Sequence, residues 1–231
     1  MHSKKEFTLG FVLLALFFVV LFAMFMPLWD GHNAMAYLDN LYNSISKGSA
    51  YYVPEMKEKS DSLGSVTLDT AVSMKSESQA QAMASILQAS GVTAAAQGNK
   101  INVQGSYKTI IDSCLADADV MYHNDGASLQ KKYPAYAQKD ERQALYDWFV
   151  FLEGLDKALK DQKRFADAKV AYSVKSKVVE PAYNYYKVQA EKIGDKWGIV
   201  FFSLAFYVIY TMWYGFSILF LFEGWGLKIS H

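Results

Sequence analysis

Cysteine is nearly missing from this chain: Cys114 is the only one in 231 residues. A single thiol excludes an intrachain disulfide and any zinc site assembled from the cysteines of one chain. Cys114 shares an apolar stripe with Ile110, Ile111 and Leu115, which predicts a buried structural thiol, with a reactive or intermolecular thiol as the alternative. Excess charge is also missing, since 23 basic and 23 acidic side chains cancel and the pI is near 6.9. No global field then draws the chain to nucleic acid, so a nucleic-acid partner is not expected. Neither the dinucleotide-binding nor the P-loop glycine pattern occurs, and haem-attachment and EF-hand motifs are equally missing. No catalytic residue and no cofactor is predicted, and the expectation is a protein that is not an enzyme.

Long apolar runs, by contrast, stand at both ends. Phe7 to Met26 is about 20 residues without a charge, enough at 1.5 Å rise for the roughly 30 Å hydrocarbon core of a bilayer. Pro27, Leu28 and Trp29 mark its exit, so the first transmembrane helix is placed at 7–29 after a short terminus at 1–6. A cleaved signal peptide is the alternative, with Ala34-Met35-Ala36 as its site. The run is longer than a signal core and is separated from that site by Asp30, Gly31, His32 and Asn33, which favours an uncleaved anchor. The second span, 198–222, is uncharged and aromatic, and 223–231 follows it. Tyr207, Tyr210 and Tyr214 recur at i, i+3, i+7, placing three hydroxyls on one helix face that hydrocarbon tolerates poorly. With Trp213 they are the candidate interaction residues, and another helix is expected to cover them.

Lys4 and Lys5 before the first span and Lys228 after the second predict an inner-membrane protein with both termini cytoplasmic and everything between them periplasmic. The middle has a soluble composition, carrying 20 of the 23 Lys and Arg. Residues 30–64 read as an amphipathic helix capped by Asn33 and ended near Gly48, then a loop around Tyr51, Tyr52 and Pro54 and a charged stretch to Asp61. Residues 65–126 read as strand, helix, strand, strand, helix. Alternation marks the strand at Ser65–Met74, Ser76 with Gln79 forms a capping box, Gly91 stops that helix, and Gly98-Asn99 makes a primed hairpin turn. The order fits a small α+β module of the split βαβ type. It resembles periplasmic accessory modules in architecture alone, which implies no activity.

Residues 127–197 read as long helices. Leu145, Trp148, Leu152, Leu155 and Leu159 form one stripe that Phe165, Ala168, Tyr172 and Val178 continue. Residues 141–180 are either one helix or a hairpin. From Pro181 a continuous helix through Tyr183, Tyr186, Ala190, Ile193 and Trp197 is expected to enter the second span.

Candidate metal ligands are few. Asp112, Asp117, Asp119, His123 and Asp125 form the densest acidic group, in which Asp119 and His123 share a helix face at i, i+4; His32 at the membrane exit is the other weak candidate. A helix-start polar residue accounts for His32, and solvated faces account for Lys131-Lys132 and for Lys160 through Arg164.

The favoured function is a non-catalytic accessory or scaffold subunit of an inner-membrane complex. Its partners would be the bilayer and other integral membrane proteins or further copies of itself. A two-span periplasmic ligand-binding or sensory protein is the alternative, and the six and nine residues outside the spans leave it to signal through a partner. Two terminal spans flanking an α/β domain with long helices also resemble the plan of the polysaccharide co-polymerases, which implies a homo-oligomer. That family's proline-rich element beside the second span has no counterpart here, since no proline follows Pro181.

Overall fold

The computed structural model describes residues 2–29 and 31–227. Asp30, and the Lys228 that helps set the expected orientation, lie outside the described residues. In chain order the elements are α1 (Lys4–Phe25), α2 (Ala34–Ser49), α3 (Val53–Asp61), β1 (Thr67–Ser73), α4 (Glu77–Ala89), β2 (Thr93–Gln97) and β3 (Lys100–Ser106). There follow α5 (Tyr107–Tyr122), α6 (Gly126–Lys132), a 3-10 turn (Pro134–Tyr136), α7 (Gln143–Asp161) and α8 (Phe165–Val174). A π-helical turn (Lys175–Val179), α9 (Glu180–Asn184) and α10 (Ile193–Trp225) complete the chain. Two compact units result, one of Met1–Ile45 with Ala190–His231, the other of Ser46–Gln189.

The first unit contains α1, α10 and most of α2. Helices α1 and α10 are long and apolar enough to cross a membrane, and only 6% of the most apolar window of each is buried within the chain. A helix of that composition in a soluble core would be largely buried. The Asn33 side chain accepts the Ala36 amide at 2.8 Å, making the expected N-cap of α2. At its far end α10 closes on Gly226 at φ +96°, whose amide reaches the Phe222 and Glu223 carbonyls.

The second unit is built on a three-stranded sheet of order β1-β3-β2, with β3 antiparallel to both neighbours. Strands β1 and β2 are therefore parallel, joined by α4 with β3 inserted between them, which is the split βαβ arrangement. Alternation sends Leu68, Val72, Ile101 and Val103 to the buried face, and leaves Thr67, Asp69, Asn102 and Gln104 exposed. Helices α4, α5 and α7 contribute to the core over the buried side. Helix α7 comes closest at Gly154, where a Cβ would stand 2.8 Å from the Ser73 carbonyl oxygen. Ser76 accepts the Gln79 amide at 3.2 Å, while Gln79 Oε1 reaches back to the Lys75 amide, one residue before the position a capping box implies. Gly91 (φ +80°) and Gly98 (φ +57°) supply the helix stop and the hairpin turn.

Several expectations change, and one open alternative is decided. Val53–Asp61 is a helix, with Pro54 in its first turn where no amide is needed; only Met56 and Ser60 are buried, too few to give a hydrophobic period. Residues 141–180 form a hairpin: Lys163 at φ +61° separates α7 from α8. That turn resets the helical phase, so of the expected continuation Ala168 and Val178 are buried while Phe165 and Tyr172 are 64% and 53% exposed, and Ala171 and Val174 are buried in their place. The helix begun at Pro181 stops at Asn184, and α10 starts afresh at Ile193. Lys187 takes φ +67° between them, and its amide bonds to the Asn124 side chain at 2.8 Å.

Candidate functional site: a helix-pairing interface

Helices α1 and α10 meet along a face that runs Phe206, Tyr210, Trp213, Ser217, Leu221 and Gly224, at spacings of three and four. Backbones approach wherever side chains are small. A Cβ on Gly10 would lie 2.7 Å from the Leu221 nitrogen and 2.9 Å from the Ser217 carbonyl oxygen, and one on Gly224 would stand 2.6 Å from the Phe7 Cα. The Gly224 carbonyl accepts the His2 and Ser3 amides at 2.9 and 3.2 Å. This is the small-residue packing that brings helices together when no hydrophobic effect drives them.

Two of the four predicted residues bond across this interface. Tyr210 donates its hydroxyl to the Phe17 carbonyl at 3.1 Å and stacks on the Phe17 ring at 4.2 Å. Trp213 donates Nε1–H to the Leu13 carbonyl at 3.0 Å. Tyr214 only leans on Phe17, at 5.1 Å between ring centres, and Tyr207 points away, 69% exposed. The expected shared face of three tyrosines is thus split, because α1 follows the 210–213–217 row rather than the 207–210–214 row. Gly10, Ser217 and Gly224 were not singled out from the sequence; small residues seven apart on an aromatic helix were the available signal.

In the second unit the acidic group disperses. Asp119 and His123 are brought together, at 3.4 Å, but Asp119 Oδ1 also accepts the Tyr51 hydroxyl at 2.8 Å. Burial and that carboxylate push the Tyr51 pKa up to about 12. Asp112 takes Ser60 and Lys108, and Asp125 caps α6 at Ser128. Asp117 is fully buried and accepts from Lys132 (2.7 Å), Tyr133 (2.8 Å) and Trp148 (2.9 Å). Lys132 lies on the solvated face and also reaches in as the ion-pair partner of Asp117. Asp147, also buried, accepts from Gln79, Tyr136 and Gln143. Among the described residues no three His, Cys, Asp or Glu side chains gather as a metal site. His32 is exposed and pairs through its backbone with Trp29 in the turn before α2.

Lys47, which nothing in the sequence pattern marks, is buried with its ammonium on neutral acceptors: Asn124 Oδ1 and the Val188 carbonyl, both at 2.7 Å. Burial lowers its pKa. The same Asn124 receives the Lys187 amide, so one lysine ties the end of α2 to the segment that interrupts the expected helix. Cys114 is buried, and burial pushes its thiol pKa well up. No family model, curated protein or solved structure matches the chain.

Proposed function

We propose that this chain is a non-catalytic accessory or scaffold subunit of an inner-membrane protein complex, held by α1 and α10 as two spans, with the 46–189 unit periplasmic and available for docking. The observation that carries this reading is the division of α10 into two faces. One closes on α1 through Gly10 and Gly224. The other leaves Phe201, Tyr207 and Ile209 each more than 60% exposed, which suits lipid and neighbouring spans. That α1 pairs with α10 through Phe7, Gly10, Leu13 and Phe17 also favours an anchor over a removable leader. Lys4 and Lys5 favour cytoplasmic termini. In the outer unit the buried carboxylates Asp117 and Asp147 are spent on structural contacts, which favours a role without catalysis.

The ligand-binding alternative has one feature in its favour, a cleft of about 520 Å³ between Lys139, Arg142, Tyr186 and Lys187. Two of its three cations already pair internally, Lys187 with Glu141 at 2.9 Å and Arg142 with Asp140 at 3.3 Å, and Lys139 stands over the Tyr136 ring at 4.7 Å, which leaves the subunit reading ahead. Purification in mild detergent should bring fixed stoichiometric membrane partners with the chain; recovery of the chain alone, or only as a homo-oligomer, overturns that reading. A reporter fused after His231 should behave as cytoplasmic and one inserted at Gly98 as exported; the reverse pattern overturns the orientation.

A further inference from the structure

Within the first unit, a cavity of about 220 Å³ opens between the end of α1, the following turn, the start of α2 and the first half of α10. Ala23, Met24, Trp29, Ala34, Leu38 and Phe202 bound it together with Tyr37 and Ser203, and the surface that faces the cavity is almost wholly apolar. The Ser203 hydroxyl is already engaged, 2.6 Å from the Tyr42 hydroxyl and 2.8 Å from the Val200 carbonyl. Water in a cavity needs two to four polar partners, and almost no polar surface faces this one. An apolar void of roughly 150 Å³ already takes up a small hydrocarbon, and an unfilled one forfeits the dispersion contacts of all its walls. The small side chains of Ala23 and Ala34 keep the space open on two of its sides.

We infer that this cavity holds one acyl chain of a bilayer phospholipid, entering from the hydrocarbon around α1 and α10 and fixed by shape alone. An isoprenoid quinone is disfavoured because its head group needs hydrogen-bond donors and almost no polar surface faces the cavity. The inference rests on the reading of α1 and α10 as membrane spans, so its test must separate the two.

The full-length chain is reconstituted in vesicles containing a phosphatidylethanolamine with a photoactivatable diazirine in its acyl chain, irradiated, and the adducts mapped by mass spectrometry. Adducts at Met24 and Phe206 are expected several-fold above those at Phe11 and Phe18, which face outward at 61% and 55% exposure. Ala23→Phe fills the cavity and should abolish the excess while leaving Phe11 and Phe18 labelled as before, which also reports that the helices remain in lipid. Ala34→Leu, a smaller filling at another wall, should reduce it in part. Uniform labelling of pocket and outward positions, or an excess that survives Ala23→Phe, overturns the acyl-chain site and leaves the membrane reading standing. No adduct anywhere on α1 or α10 overturns both. Competition by unlabelled ubiquinone but not by unlabelled phospholipid overturns the choice of ligand.

Discussion

Gly10 carries the closest approach of α1 to α10, and adding one methyl there gives a calculable result. In Gly10→Ala the new carbon would lie 2.7 Å from the Leu221 nitrogen, whereas ordinary contact begins near 3.4 Å, so the backbones must part by about 0.7 Å. The obstacles are backbone atoms of α10, which no rotamer change can move aside. A rigid shift of that size stretches the Trp213–Leu13 and Tyr210–Phe17 bonds, now 3.0 and 3.1 Å, beyond hydrogen-bond range. Overpacking costs about 1–3 kcal/mol and each interhelical bond in lipid about 0.6 kcal/mol, so pairing should weaken by roughly 2–4 kcal/mol. Gly215 on the same α10 meets nothing within 4 Å, and Gly215→Ala should be neutral or slightly favourable, since alanine is the better helix former. Spin labels on cysteines replacing the outward-facing Phe18 and Ile209, in a Cys114→Ser background, report the helix separation during titration with SDS. Unpairing of Gly10→Ala at clearly lower SDS than Gly215→Ala is expected. Equal midpoints would refute the close-packing argument.

The second unit offers further tests. Asp117→Ala leaves the buried Tyr133 hydroxyl and Trp148 indole without their acceptor and Lys132 without its partner, and should cost about 3–5 kcal/mol, read as a lowered thermal midpoint. Lys47→Met should cost less, about 1–3 kcal/mol, because Asn124 Oδ1 keeps the Lys187 amide and the Val188 carbonyl keeps the Asn124 amide. Cys114 should resist maleimide in the folded chain and react fully once it is unfolded; rapid native labelling would contradict its burial. Burial alone would raise the Asp112 carboxyl, but the Lys108 and Ser60 hydrogen bonds outweigh it and hold the pKa below its ordinary 3.8. For a lowered carboxylate the stabilisation is complete above the unfolded value and is lost as pH falls from about 3.8 through the folded one. Asp112→Asn should therefore flatten the acid limb of the stability curve and leave its neutral region nearly parallel to wild type.

Local signals were legible wherever one residue does one job within its own segment. Asn33, Ser76 and Gly91 begin or end helices as their chemistry requires, and the alternation in β1 places Leu68 and Val72 inside. Leu145, Trp148, Leu152, Leu155 and Leu159 form the buried stripe of α7 because that helix is uninterrupted. Extrapolation along the chain failed for the α7 stripe at Phe165 and Tyr172, because Lys163 in the left-handed region ends one helix without glycine or proline to announce it. It failed again at Lys187, whose unusual φ is held by Asn124, 63 residues away in sequence. For the tyrosines, period alone could not decide which of two overlapping rows on α10 would meet α1.

The sequence by itself determined the two apolar helices, the split βαβ order and most of the caps, because these depend on hydrocarbon length, residue alternation and hydrogen bonds reaching three or four positions along the chain. Only the tertiary structure decided that Gly10 and Gly224 set the helix pairing, that Tyr207 faces outward while Tyr210 is engaged, and that Lys47 and Asp117 are buried. Each of those outcomes turns on which surface arrives opposite a side chain, and the partners come from positions far away along the chain.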